Sequence, residues 1–315
     1  MWWLKEVFSV LNNMNVANSF RALVKFSLIL AMGSLIACSS SDSDISNEGV
    51  DEPTRVETTG SVEPSEEFYI VGHHLRRPRN DRPKTWQQAR SEAGQLRGYV
   101  SRLATTAYLA GDLQVDINVA TNVGNDLYRI LQKTGKDRSV QAIAPWHPTS
   151  CYNGADSALD IFLTFGEAGV ITKNASIIQD VRSYCDLKSL NSDHMPSSID
   201  IKLAGSSHSF TLVTFNLELG KSADVVAVMN VVRSYIDNGA EVLVLTEVPE
   251  SLKPILGKEF GGYQVFQAPR TNTDSRGNDL VTVLTKSSDI EVTGVDYPDL
   301  GGPRKSVALK VRVIR

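Results

Sequence analysis

The sequence has only three cysteines, little charge imbalance and no long apolar run beyond its N-terminus. A formal net charge of −4 argues against binding nucleic acid by bulk electrostatics, although a local basic groove stays compatible with it. After the N-terminus, no apolar run approaches the roughly 20 residues that cross a bilayer as a helix. The 315 residues, 42% of them hydrophobic, suffice for one large core or two modest ones, and they contain no internal repeat.

The first 37 residues are predicted to be an export signal. Arg21 and Lys25 precede a short apolar stretch that ends in small residues, which is the pattern of a secretory signal. The ending Leu-Ile-Ala-Cys at 35–38 resembles the bacterial lipobox, in which the cysteine becomes the lipidated first residue of the mature protein. The resemblance implies an anchor at Cys38 in the bacterial cell envelope, and the serine after it favours the outer membrane. The alternative is an ordinary signal peptide that happens to contain a cysteine.

Residues 38–65 are predicted to be a flexible, lipidated tether. They are rich in Ser, Asp, Glu, Thr and Pro and almost free of large apolar residues, so burial cannot offset the entropy of ordering them. Removing Cys38 leaves an even pair, Cys151 and Cys185, and an exported protein meets redox conditions that permit a disulfide between them. Two unrelated thiols are the alternative.

Strand and helix patterns alternate over residues 66–315, which we predict to be a single domain. Runs typical of strands occur at 68–71, 106–111, 159–165, 198–203, 210–215, 241–246, 263–267, 279–286 and 305–313. Helical spacing of apolar residues occurs at 84–103, 125–133, 222–238 and 250–259. The alternation predicts an α/β domain, and the strand-rich C-terminal part favours a mixed sheet or a two-sheet sandwich.

Polar residues follow or precede many of these strands, where the active sites of layered α/β proteins gather. They are His74 with Leu75, Gly111 and Asp112 with Gln114, Asp160, Asp193 with His194, Asn216, and Glu247. Each is a weak signal alone, because Gly-Asp is common in turns and Ser-Asp-His is more often a helix cap or loop. The joint pattern carries the prediction.

That joint pattern resembles the endonuclease/exonuclease/phosphatase superfamily, which includes pancreatic-type deoxyribonucleases, abasic-site endonucleases, neutral sphingomyelinases and inositol-polyphosphate 5-phosphatases. Its members carry, in order, a strand ending in Asn, a strand ending in Gln-Glu-Val, then His-Leu, Gly-Asp-x-Asn, Ile-Asp-Tyr and Ser-Asp-His. The corresponding segments here are 216, 246–248, 74–75, 111–114, 159–161 and 192–194. The second half of the family pattern therefore comes first in this chain, and the resemblance covers residues 66–315.

The resemblance implies a four-layered α/β/β/α sandwich with two packed mixed sheets, circularly permuted. Residues 66–203 would be the family's C-terminal half and 209–315 its N-terminal half, joined by a short small-and-polar segment. The termini would then fall in a surface connection, where permutation is tolerated. We therefore expect the strand at 199–203 to lie beside the strand at 211–215.

The resemblance also implies the roles of the polar residues. Glu247 would be the principal ligand of Mg²⁺ (or Mn²⁺ or Ca²⁺), with Asn216 beside it and Asp193 as a further ligand. Asp112 would align or deprotonate the attacking water. His194, oriented by Asp160, would stabilise the charge that develops on the phosphate. His74 would contact the scissile phosphate or act as an acid, and Asn216 and Gln114 would contact the substrate.

Three features around this pattern stay open. Gln114 replaces the family's asparagine, which keeps the amide but lengthens the side chain, and catalysis is sensitive to displacements of about 1 Å. Thr246 replaces the family's glutamine before Glu247, at a position less involved in the chemistry. Arg76 begins a basic cluster that could hold further substrate phosphates, and a solvated loop is the alternative.

The sequence therefore predicts a membrane-anchored, metal-dependent phosphoester hydrolase. A nuclease-like phosphodiesterase is slightly favoured over a phospholipid or sugar-phosphate hydrolase. The alternative is a non-catalytic lipoprotein that keeps the fold and binds a ligand. The substrate, the physiological metal and the oligomeric state are left open.

Overall fold

A computed structural model describes residues 67–78, 82–115, 122–133, 140–143, 149–152, 155–166, 170–175, 192, 194–203, 207–218, 225–271 and 280–314. The predicted signal at 1–37, the tether at 38–65 with Cys38, and both Asp193 and Cys185 lie outside them, as does the side chain of Cys151. Among the helices in these segments, none combines the length and the apolar character needed to cross a bilayer.

Fourteen strands and four α-helices are described. In chain order they are β1 (Phe68–Gly72), α1 (Pro83–Val100), β2 (Ala107–Asp112), α2 (Asn122–Gln132), β3 (Val140–Ile143), β4 (Ser150–Tyr152), β5 (Ala155–Ser157), β6 (Asp160–Phe165), β7 (Val170–Ala175), β8 (Ser197–Lys202), β9 (Ser209–Asn216), α3 (Val225–Asp237), β10 (Val242–Val248), α4 (Lys253–Glu259), β11 (Tyr263–Gln267), β12 (Leu280–Lys286), β13 (Ile290–Asp296) and β14 (Val307–Val313). A 3₁₀ turn, Glu250–Leu252, leads into α4, so the helix predicted at 250–259 is two short segments. β4 and β5 form a small separate hairpin.

The first sheet has the strand order β13-β14-β1-β2-β6-β3. β1 is parallel to β2, and the other neighbours are antiparallel. β1 and β14 pair with Phe68 opposite Val311, so the end of β14 lies beside the start of β1. The first and last strands of the domain are therefore direct neighbours.

The second sheet has the strand order β11-β12-β10-β9-β8-β7. β9 is parallel to β10, and the other neighbours are antiparallel. β8 pairs with β9, Ile199 opposite Leu212, and the backbone N–H of Leu203 donates to the carbonyl of His208 at 3.0 Å. This pairing confirms the expected neighbourhood of the strands at 199–203 and 211–215.

Three apolar cores separate four layers. Successive strand residues point to opposite faces, so Ile70 lies between the two sheets while Val71 packs toward α1 and α2. On the second sheet, Leu212 lies between the sheets and Val213 packs toward α3 and α4. Phe68 of the first sheet stacks on Phe210 of the second, with ring centroids 5.1 Å apart. The result is the α/β/β/α sandwich that the sequence predicted.

Helix α1 buries the predicted apolar stripe. Proline in its first turn fits the backbone there, because the N–H that proline lacks would have no partner within the helix. Ala89, Ala93, Leu96 and Val100 are buried against the first sheet. The helix ends at Val100, three residues before the predicted end, so Leu103 packs on the core from the following turn.

Strands β3, β4, β5, β7 and β13 are absent from the sequence prediction. Three of them, β3, β7 and β13, lie at sheet edges. β13 is mostly exposed, and a register irregularity between Val292 and Gly294 interrupts its pairing with β14. Edge strands are stabilised by hydrogen bonds to one neighbour more than by their own apolar residues, so their sequences carry a weak strand signal.

Candidate active site

The two sheets bring the predicted polar residues to one edge of the sandwich. β2 packs against β9 and β10 across the central core. Asp112 ends β2, Asn216 ends β9, and Glu247 is the second-last residue of β10. His74 follows β1, which is parallel to β2, so it reaches the same edge. Asp160 begins β6 directly opposite Asp112, because β6 runs antiparallel to β2.

Asp112 is the centre of this group, and its side chain is almost completely buried. The Gln114 amide nitrogen lies 2.7 and 2.8 Å from its two carboxylate oxygens, and the Asn216 amide donates to Oδ2 at 3.1 Å. The same Oδ2 lies 3.4 Å from Nε2 of His74 and 3.9 Å from Nε2 of His194. One carboxylate therefore contacts two amides and two imidazoles.

His194 and Asp160 form a buried pair. Nδ1 of His194 lies 2.6 Å from Oδ2 of Asp160, so its Nε2 points toward Asp112 and Asn216. The Thr149 hydroxyl accepts the backbone N–H of Asp160 at 3.0 Å. The Ser192 hydroxyl accepts the N–H of His194 at 3.0 Å and donates to the carbonyl of Asn216 at 3.1 Å. These bonds fix both the imidazole and the backbone that carries it.

Glu247 sits in a left-handed backbone conformation with φ of 56°. The pairing of β10 with β12 shifts register between Leu245 and Val248, which accommodates this kink. Oε1 of Glu247 lies 3.7 Å from Nε2 of His74 and 3.8 Å from the guanidinium of Arg304. A histidine and an arginine thus converge on one oxygen of a partly exposed carboxylate.

Gly111 lets β1 and β2 approach closely at the site. Its φ is +140°, and a Cβ at this position would lie 1.8 Å from the backbone oxygen of His73. A side chain here would push apart the strands that carry His74 and Asp112. The Gly-Asp motif therefore has a structural reason in this chain.

The pKa values of two buried groups of the site, Asp112 and His74, are shifted in opposite directions. Burial raises the pKa of Asp112 to about 6, with the carboxylates of Asp160 and Glu247 adding to the increase and His194 and Asn216 opposing it. Burial lowers the pKa of His74 well below its usual value, and the nearby Arg304 and His194 lower it further. A carboxylate with a raised pKa is a better proton acceptor near neutral pH, and a neutral imidazole can donate a hydrogen bond without adding charge.

Two carboxylates of the site, those of Asp112 and Glu247, offer the type of oxygen ligand that Mg²⁺ takes in proteins. Within the described segments, no cluster of three or more His, Cys, Asp or Glu side chains has the geometry of a metal site. His74 contacts the carboxylates of both Asp112 and Glu247, and the latter is partly open to solvent. Mg²⁺ often takes one or two protein carboxylates and completes its shell with water and phosphate oxygens. The amide oxygen of Asn216 accepts the N–H of Glu218 at 3.0 Å, so Asn216 faces Asp112 through its nitrogen.

Seven predicted site residues lie together at this edge. They are His74, Asp112, Gln114, Asp160, His194, Asn216 and Glu247. Arg76 instead places its guanidinium against α1, where it donates to Gln88 and lies 4.0 Å from Glu92. Asp193 lies outside the described residues.

The sequence prediction missed Arg304, whose side chain is mostly buried at Glu247. It lies just before β14, and β14 is antiparallel to β1, so the start of β14 meets the edge where β1 ends. A basic residue immediately before a predicted strand was the available signal, but it required knowing the strand's neighbour.

No protein-family model and no curated protein matches the sequence. Solved structures do match. The human Nocturnin catalytic domain with bound sulfate is 10% identical, with a TM-score of 0.50 over 79% of this chain and 94% of that chain. An endonuclease/exonuclease/phosphatase from Bacteroides vulgatus is 11% identical, with a TM-score of 0.52 over 79% and 100% of the two chains. A family protein from Bacteroides thetaiotaomicron is 11% identical, with a TM-score of 0.50 over 80% and 99%.

Identities this low show the fold alone. The fold shared by these structures is that of endonuclease/exonuclease/phosphatase proteins, and the sequence predicted it from short polar segments. The chain therefore has a mixed α/β fold of the endonuclease/exonuclease/phosphatase type, with two packed sheets.

Proposed function

We propose that this protein is a metal-dependent phosphoester hydrolase. The observation that supports it best is the contact of one buried carboxylate, Asp112, with His74, Asn216 and the His194–Asp160 pair. Hydrolysis of a phosphoester needs a group that aligns water, a group that stabilises developing negative charge, and help for the leaving oxygen. These requirements correspond to the residues of the site.

Asp112 aligns the attacking water and accepts its proton, for which a pKa of about 6 is well suited near neutral pH. His194 donates from Nε2 to the charge that develops on the phosphate, because Asp160 holds its Nδ1 at 2.6 Å. Asn216 orients Asp112 through its amide at 3.1 Å. Neutral His74 donates a hydrogen bond to the phosphate or to the leaving oxygen.

Glu247 would hold Mg²⁺ beside the substrate, and the ion would supply Lewis-acid stabilisation of a phosphate oxygen when bound. Arg304 lies against the same carboxylate and carries the planar guanidinium that pairs well with phosphate. We therefore assign Arg304 to binding of the substrate phosphate. This residue adds a cation that the sequence prediction did not include.

The substrate class is to be settled by a panel of DNA, RNA, sphingomyelin and inositol phosphates, each with and without chelator. We expect turnover of at least one of these that chelator abolishes and Mg²⁺ restores. Asp112→Asn should remove that turnover, which separates it from a contaminating enzyme. Turnover that is indifferent to chelator would contradict the proposed metal dependence.

A non-catalytic ligand-binding protein is the second candidate, and one contact favours it. Gln114 has a left-handed backbone, with φ of 52°, and its amide nitrogen reaches both oxygens of Asp112. The amide thus donates to both oxygens of the carboxylate that, in the proposed mechanism, aligns the attacking water. A protein that binds a phosphorylated ligand without turnover tolerates such an arrangement.

Gln114→Asn is expected to keep or raise hydrolysis. The asparagine side chain is one methylene shorter, so it cannot reach both carboxylate oxygens in the same way, and Asp112 becomes more available to water. The measurement is kcat on the best substrate of the panel, with Gln87→Asn on the exposed face of α1 as the matched control. A tenfold or larger fall in kcat would show that Gln114 itself is required for the reaction.

We also propose that the chain is a circular permutation of the family order. The end of β14 lies beside the start of β1, and β8 continues into β9 as an antiparallel pair. The chain termini can therefore be moved from the β14–β1 connection to the β8–β9 connection without rearranging either sheet. A variant that begins at Ser209, joins Ile314 to Glu67 through a short linker and ends at Leu203 should fold and keep the parent's secondary structure and activity. Failure of that variant to fold, while a linker insertion alone is tolerated, would count against the proposal.

We propose further that Cys38 is lipidated and anchors the protein to the bacterial envelope, in the outer membrane. The lipobox-like segment and the polar tether after it support this. Cys38→Ala should leave the protein unprocessed or release it from the membrane fraction, as shown by fractionation and the mass of the mature N-terminus. Ser39→Ala is the matched control. Normal maturation and membrane association of the Cys38 variant would rule out the anchor.

A further inference from the structure

A second group of polar residues is buried behind the active site. His73 and Glu92 are both fully buried, and Nε2 of His73 lies 3.3 Å from Oε1 of Glu92. On its other side, Nδ1 of His73 is 2.8 Å from the hydroxyl of Ser306, which is also fully buried. Glu92 in addition accepts the backbone N–H of Arg76 at 3.3 Å. The three side chains connect α1, the end of β1 and the start of β14.

This group lies beside both nitrogen-bearing side chains that approach Glu247, those of His74 and Arg304. His73 precedes His74 in the chain, and Ser306 follows Arg304 by two residues. His74 and Arg304 approach the same oxygen of Glu247, at 3.7 and 3.8 Å. Any movement of β1 relative to the loop before β14 would therefore change the spacing between these two side chains.

The loop before β14 is seated directly on Glu92. A Cβ at Gly302 would lie 1.9 Å from Oε1 of Glu92, and one at Gly301 would lie 2.6 Å from the amide of Gln95. At Gly301 and Gly302 the loop backbone thus packs against the side chains of α1 without room for a Cβ. Arg304 follows Gly302 by two residues in the same loop.

Burying the Glu92 side chain costs more free energy than burying an apolar side chain of similar size. Removing a charge from water is unfavourable unless partners compensate, and an apolar residue of similar size is often at least as stable. Glu92 accepts the backbone N–H of Arg76 and lies 3.3 Å from the His73 imidazole, and among the described residues Oε1 of Glu92 and Nε2 of His73 form no hydrogen bond. The close packing of these buried polar side chains defines the relative position of the segments that carry them.

We propose that Glu92, acting through His73 and Ser306, is a positioning residue that sets the spacing of Arg304 and His74 and thereby the affinity for the substrate phosphate. The inference rests on the proposed function in one respect, the assignment of Arg304 to the phosphate. Glu92 lies against His73, the residue before His74, and against Gly302, two residues before Arg304. Its effect is transmitted through the loop and through β1.

The test measures binding of inorganic phosphate by calorimetry together with kcat and KM on bis(4-nitrophenyl) phosphate. Arg304→Ala should weaken phosphate binding by at least about tenfold, because a charge-assisted contact is lost. Glu92→Gln and Ser306→Ala should each weaken binding several-fold, up to about tenfold, and raise KM more than they lower kcat. Glu291→Gln, an exposed glutamate on β13, is the matched control and should change neither.

Combining Glu92→Gln with Arg304→Ala distinguishes a positioning role of Glu92 from a general loss of structure. If Glu92 acts through Arg304, Glu92→Gln should cost little further affinity in an Arg304→Ala background. Equal and additive losses in the two backgrounds would overturn the inference. So would Glu92→Gln and Ser306→Ala proteins that lose thermal stability but bind phosphate as the parent does.

A spectroscopic measurement makes the result independent of turnover. The side-chain Nε–Hε resonance of Arg304, assigned by its disappearance in Arg304→Lys, should shift in Glu92→Gln and Ser306→Ala and stay unchanged in Glu291→Gln. An unshifted resonance in both variants overturns the inference even where hydrolysis is confirmed. A parent protein that neither binds phosphate nor hydrolyses any ester, yet shows the shifted resonance in both variants, refutes the proposed function while the coupling of Glu92 to Arg304 stands.

Discussion

Replacing His194 by alanine is expected to lower kcat by a factor on the order of 10² to 10³, with no recovery at raised metal concentration. The imidazole is fixed by Asp160 at 2.6 Å and presents Nε2 toward Asp112 and Asn216. In the proposed mechanism it donates to charge that is greatest in the transition state, so its loss lowers kcat more than it raises KM. Additional metal cannot replace a donor at that position.

Asp160→Asn should reduce kcat less than His194→Ala, because it misorients the imidazole without removing it. His208→Ala, at the turn between β8 and β9, is the matched histidine control and should leave kcat unchanged. The measurements are steady-state kinetics across a magnesium titration, with circular dichroism to establish that each variant is folded. A folded His194→Ala protein with parental kcat would place the charge-stabilising group elsewhere.

Replacing Glu247 by glutamine is expected to lower activity at low Mg²⁺ by a factor of about 10 to 10³, with partial recovery as Mg²⁺ is raised. The substitution keeps the size of the side chain and removes one ligand charge. The backbone of Glu247 lies in the left-handed region, with φ of 56°. Glutamine reaches this conformation as readily as glutamate, so the fold should be retained. The loss of activity in Glu247→Gln would come from weaker metal binding, and a higher Mg²⁺ concentration can reverse that. It cannot reverse the loss of a proton transfer.

The metal dependence of the Glu247 variant should therefore differ in kind from that of the His194 variant. The Mg²⁺ concentration for half-maximal activity should rise for Glu247→Gln and stay near the parental value for His194→Ala. Glu250→Gln is a suitable control, because Glu250 lies three residues after Glu247 in the chain. Its side chain is exposed and pairs with Arg270. Loss of activity that no concentration of Mg²⁺ or Mn²⁺ relieves would remove Glu247 from the ligand set.

Strand ends made much of the site predictable. Asn216 and Glu247 follow apolar runs that are typical of buried strands, and the structure shows these strands to be parallel neighbours whose carboxyl ends meet at one edge. His74 and Asp112 follow the same logic on the first sheet. The strand ends marked these four residues as candidates, the joint resemblance to the family implied that they meet, and the structure brings them together.

Other parts of the site had no local signal. Arg304 reaches Glu247 because β14 pairs with β1, and Glu92 reaches His73 because α1 packs back on the first sheet. On α1, Glu92 occupies a position that faces the core, where a charged residue departs from the apolar stripe. That departure is visible in the sequence, but its partner is not.

The sequence by itself determined the alternation of helices and strands in this protein, and through the family resemblance most of the polar residues at the site. Periodicity fixes which face of each helix and strand is apolar, and this is a local property of ten to twenty residues. Only the tertiary structure decided that His74 and Arg304 approach the same oxygen of Glu247, that Gln114 turns back onto Asp112, and that Glu92 is buried under the loop of Arg304. Such contacts depend on the register of strand pairs and on side-chain directions, which the packing of all four layers fixes together.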